Sequence, residues 1–66
     1  MITKDRYNRG SGGVWVLSAP ETEALALEAE VLQTLQGIDK WSSPTIESRN
    51  NQDGILTVRI KYYGLD

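Results

Sequence analysis

The chain contains no cysteine and no histidine. Without cysteine there is no disulfide to reinforce a small fold and no thiolate to hold a metal. Without histidine, the commonest general base and the commonest metal ligand are both missing. The two absences together exclude zinc, and the acidic residues lack the spacing of a calcium-binding loop. No metal and no cofactor is therefore expected. Nor is any stretch close to the roughly 18–20 consecutive apolar residues that cross a bilayer. The polar segment Met1–Gly13 also lacks the apolar core of a secretory signal. These absences lead to the expectation of a cytoplasmic protein with no membrane partner.

What is present fits one small domain. Sixty-six residues lie near the size at which a lone core is marginal and association often supplies the missing stability. The net charge of −2 is unevenly distributed. Lys4, Arg6 and Arg9 face only Asp5 in the first thirteen residues, whereas acids outnumber bases in the remainder. A basic arm for nucleic acid is one reading of the N-terminal segment, and the solubility of a flexible tail is the other. The glycines of Tyr7–Gly13 favour a flexible segment, because glycine loses the most backbone entropy on ordering. The chain is accordingly divided into a flexible tail, 1–13, and a folded domain, 14–66.

Val14–Leu17 is apolar on both faces, as in a strand covered on two sides. Ser18 and Glu21 have the spacing of a capping box, and Pro20 stands where a first helical turn tolerates it. From Glu21 to Gln36 no glycine or proline interrupts a run rich in Ala, Leu, Glu and Gln. The sequence therefore predicts a helix over Ser18–Gly37, with Gly37 as its stop. Thr45–Arg49 alternates, with Ile46 inward and Thr45, Glu47 and Arg49 outward. Asn50–Gly54 supplies a hairpin loop rich in residues that accept positive φ. Ile55–Tyr63 is the strongest strand, with Leu56, Val58, Ile60 and Tyr62 on its inner face. The expected fold is α+β: a single β-α-β-β domain with one helix packed on a three-stranded, mainly antiparallel sheet. An antiparallel spatial order 1-3-2 and a parallel pairing of the first two strands both remain open.

The helix carries more apolar surface than one sheet can cover. At about 100° per residue, Ala24, Leu27, Val31 and Leu35 line one strip, and Leu25, Ala29 and Leu32 line a second beside it. Glu28 projects between them, where a lone carboxylate needs a partner or a wet subunit contact. Trp41, in a polar stretch after the helix, reads either as a lid over the core or as an interface anchor. Leu25, Glu28, Ala29, Leu32 and Trp41 are thus the candidate protein interface. Arg59, Lys61 and Tyr63, with Arg49 across the hairpin, form a candidate nucleic-acid face in which cations flank an aromatic. Hydroxyl nucleophiles exist, but none has a histidine, cysteine or evident lysine base beside it, so no catalytic residue is assigned.

With Trp41 shortly after the helix, the element order resembles that of the dodecin-type flavin-storage proteins. The resemblance is one of topology and carries no functional residue to this chain. The functional expectation is a non-enzymatic interaction module whose partner is another copy of itself, a homo-oligomer held through the helix. The alternatives are an acidic inhibitor that blocks another protein, such as one that handles nucleic acid, and a nucleic-acid binder using the basic sheet face.

Overall fold

A computed structural model describes residues 1–64; residues 65–66, the last of the expected domain, lie outside the described residues. Four strands and one helix follow in the order β1 (Thr3–Arg9), β2 (Gly12–Pro20), α1 (Ala24–Gly37), β3 (Thr45–Gln52) and β4 (Ile55–Tyr63). Short 3-10 turns occupy Glu21–Glu23 and Lys40–Ser42. The strands form one antiparallel sheet in the order β1-β2-β4-β3, with α1 on one face. The α+β class and the antiparallel order of the three expected strands hold. The sheet has four strands rather than three.

The additional strand corrects the reading of Met1–Gly13 as a flexible tail. Thr3–Arg9 pairs along its whole length with β2, from Thr3 opposite Ser18 to Arg9 opposite Gly12. The two strands meet in a two-residue turn, Gly10-Ser11, with Gly10 at φ 57°. Glycine at the first central position suits a tight hairpin, so the glycines that suggested flexibility in fact reverse the chain. This outer strand also lies beyond the dodecin-like element order.

The helix begins later than the capping-box spacing implies. Ser18 sits in the ladder between Thr3 and Thr57, and β2 continues to Pro20. No side chain caps the helix N-terminus. Instead the Glu21 amide donates to the Gly54 carbonyl at 2.8 Å, tying the entry of the helical segment to the β3–β4 turn. At the other end Gly37 is the last helical residue and adopts no positive φ. The helix ends because Ile38 turns extended, at φ −89° and ψ 133°.

Period-two alternation sets the core. Trp15, Leu17 and Ala19 of β2 pair with Ile60, Val58 and Leu56 of β4 on the helix side of the sheet. Leu17, Ala19, Val58 and Ile60 are buried there against Leu27 and Val31 of α1. Trp15, Leu35, Leu56 and Ile38 pack partly buried around this centre. Gly13 leaves room for the Tyr62 side chain, which fills the space a Cβ would take. The expectation of a two-sided cover for Val14 is met differently. It is 3% exposed on the face without a helix, between Tyr7 and Lys61. Among the described residues no helix is long and apolar enough to cross a membrane.

The β3–β4 turn consists of Asp53 and Gly54, at φ 55° and 78°, a pairing suited to a two-residue hairpin. A Cβ on Gly54 would have room, its nearest neighbour being the Glu21 carboxyl carbon at 3.9 Å, so its cost is conformational. Gly54→Ala should lower stability by about 1 kcal/mol. Gly37→Ala, in helical backbone and open space, should raise it by about 0.5–1 kcal/mol. Urea denaturation of both variants checks the pair, and equal effects would contradict the assignment.

Candidate functional site

The first candidate surface is the outer side of α1. Inward-facing Leu27 and Val31 are buried, and the adjoining strip is not. Leu25 is 89% exposed and Leu32 54%, with exposed Ala29 between them. No segment of the described chain folds over these residues. The N-terminal residues, which could have covered them, form the far edge of the sheet instead.

Glu28 borders this strip and has a partner. Arg49 Nη1 of β3 donates to Glu28 Oε2 at 2.6 Å, both side chains being half exposed. The hydrogen bond to Glu28 raises the Arg49 guanidinium above its ordinary value. Behind the pair lies a cavity of about 250 Å³, floored by Leu27, Leu56 and Val58 and edged by Asn50 and Asn51. It exists because α1 lies over β2 and β4 and leaves β3 without cover.

Across the helix the acids face the opposite edge. Glu30 Oε1 lies 3.7 Å from Lys4 Nζ, which also stands 4.9 Å from the centre of the Trp15 ring. Glu23 meets the Met1 amine. Glu23, Glu28 and Glu30 thus point to two flanks; Glu28 and Glu30 each meet a cation from an edge strand, and Glu23 meets the chain's N-terminal amine.

Trp41 is not a lid. It is 77% exposed on the turn Lys40–Ser42, where its amide donates to Asp39 Oδ1 at 3.0 Å. Ile38 packs against the core at that end instead.

The proposed basic sheet face divides. Arg59, Lys61 and Tyr63 do lie together on the face away from the helix, but Arg49 lies on the helix side, opposite Val58. The cause is a register irregularity between Ile46 and Ser48, where the extra residue shifts the alternation by one. Glu47, at that irregularity, accepts from Arg9 Nη1 at 2.7 Å. Arg9, unassigned from sequence because its strand was missed, therefore stands on the same face as Arg59 and Lys61. So do Asp5 and Tyr7, by their pairing with Val16 and Val14.

Among the described residues no group of three or more acidic residues gathers as metal ligands. No protein-family model, curated protein or solved structure matches the chain.

The Arg9–Glu47 contact has a titration signature. The hydrogen bond from Arg9 holds the Glu47 carboxyl below its ordinary value of 4.5, with partial desolvation opposing and the charges of Arg9, Lys61 and Arg59 assisting. A depressed carboxylate contributes at pH above its unfolded value and loses that contribution as pH falls through the folded one. Side-chain carbon NMR should place the Glu47 midpoint below 4.5, and Arg9→Ala should move it upward. An unchanged midpoint would mean the contact is absent in solution.

Proposed function

We propose that this protein is a non-enzymatic protein-interaction module that associates with a second copy of itself through the outer strip of α1. The observation that carries the reading is the exposure of Leu25 and Leu32 on either side of Ala29. Each leucine left in water forgoes roughly 1.5–3 kcal/mol of burial, a large share of the roughly 5–15 kcal/mol that holds a whole domain. Leu25 and Leu32 are seven residues apart and so stand one above the other, and Ala29 is small enough to admit a neighbouring side chain.

The other two readings lack comparable support. An acidic blocker needs a dense, one-sided array of free carboxylates, whereas Glu23, Glu28 and Glu30 face two flanks and meet cations. A nucleic-acid face on the open sheet would use Arg59, Lys61 and Tyr63, but Glu47 and Asp5 share that surface.

Light scattering coupled to sizing chromatography, at about 100 µM chain so that a micromolar contact is populated, should report a mass above the 7.4 kDa of one chain. Leu25→Lys combined with Leu32→Lys should return the monomer mass with an unchanged circular dichroism spectrum. A monomeric parent chain, or a double variant that keeps the larger mass, would overturn the reading.

A further inference from the structure

The face of the sheet away from α1 carries side chains that the self-association reading does not use. Lys61 stands in one row with Val14 and Tyr7, and Tyr63 in the next row with Gly12 and Arg9. Arg59 precedes Lys61 on the same face of β4, roughly 7 Å along the strand. Tyr7 and Tyr63 are each 56% exposed. Between them the floor is low. Val14 is buried, and Gly12 has no side chain, because a Cβ there would run into the Tyr62 carbonyl. The close approach of β2 to β4 thus keeps a step of bare backbone beside Tyr63.

The charges on this face are not balanced pair by pair. Arg9 is engaged by Glu47, which accepts from it at 2.7 Å. Glu47 lies between Thr45 and Ser48, whose partners on β4 are Lys61 and Arg59. The charges of both also act on its carboxylate, yet among the described residues neither closes a salt bridge. Two neighbouring cations are therefore left for an anion from outside. Asp5 stands in the row of Arg59, beyond Val16. With Glu47 on one side and Asp5 on the other, a continuous polyphosphate track is opposed, whereas a single phosphate needs only the two cations.

We infer that this face is a binding site for a small aromatic phosphate of the nucleoside monophosphate class, its phosphate held by Arg59 and Lys61 and its ring laid on Tyr63 beside the bare step at Gly12. Arg59 offers a planar fork of donors and Lys61 a mobile point charge, so the phosphate receives charge-assisted contacts from both. Stacking on a tyrosine face accepts any base, which gives the site little preference among nucleobases. The site lies on the side of the sheet away from the helix strip, so it stands whether or not two copies associate.

Titration with adenosine monophosphate, adenosine and inorganic phosphate at low salt, followed by amide and aromatic NMR, tests the site. Adenosine monophosphate should shift Lys61, Tyr63 and Tyr7 saturably and bind about tenfold tighter than either adenosine or inorganic phosphate. Arg59→Gln combined with Lys61→Gln should weaken it at least about tenfold. Tyr63→Ala should weaken it about tenfold while leaving inorganic phosphate unaffected. Glu47→Gln removes the carboxylate that competes for the two cations and should tighten binding severalfold, whereas Asp53→Asn, an equal change of charge at the far turn, should not. The amide spectrum of each variant shows whether the sheet is intact. A titration that does not saturate, equal affinity for inorganic phosphate and the nucleotide, or indifference to Tyr63→Ala overturns the inference. So does an oligonucleotide of about eight residues that binds far tighter than the mononucleotide, since that would make the face a strand-binding surface.

Discussion

One helix has to cover a sheet wider than itself, and most of the molecule follows from that mismatch. Four strands spaced at about 4.8 Å make a surface roughly 15–20 Å across, while a helix with its side chains is about 10 Å wide. The fold places α1 over the two central strands, where the fully buried side chains Leu17, Leu27, Val58 and Ile60 meet. The outer strands are then held mainly by backbone pairing and by ions. Lys4 reaches in from one edge to Glu30, and Arg49 from the other to Glu28. Every residue of β1 and β3 is exposed, which accounts for their polar composition. The acids of α1 thus serve first as internal partners of the sheet edges.

The same mismatch explains which parts of the fold could be read from the residues. Elements that touch the central core carry hydrophobic periodicity, so the inner strip Ala24, Leu27, Val31 and Leu35 and the alternation of Ile55–Tyr63 were both evident. An edge strand outside the helix cover needs no apolar face, and Thr3–Arg9 has none. Its only signal was the turn residue Gly10, which also suits a flexible linker. The direction of Arg49 was hidden for a different reason. An inserted residue leaves no mark in the pattern of polar side chains Glu47, Ser48 and Arg49, yet it reverses which face each one occupies. Ser18 and Glu21 matched a capping motif by spacing, but a ladder position between two strands satisfies Ser18's backbone more fully than a helix start would.

Of the candidate interaction residues, the sequence identified Leu25, Ala29 and Leu32 because exposure on a helix follows from angle alone once the inner strip is fixed. It also indicated that Glu28 needs a counter-charge. It could not identify Arg49 as the donor, because that pairing joins β3 to α1 through the tertiary fold. The open face of the sheet gained Arg9, Tyr7 and Asp5 in the same way, through a strand whose existence depends on pairing rather than on pattern.

The order β1-β2-β4-β3 also has a consequence for how the chain reaches its native state. Two of its three strand junctions are tight hairpins, each closed by a two-residue turn, and such units form within microseconds. The third, between β2 and β4, joins Leu17 to Val58 across most of the chain and cannot form until the loop containing the helix has closed. Each hairpin alone is a two-stranded ribbon of marginal stability. Cooperativity therefore resides in the central junction, where docking of the hairpins and burial of Leu27 coincide. By loop-closure entropy this topology makes the β2–β4 junction the slowest contact to close, with α1 as the tether that keeps the two hairpins within reach.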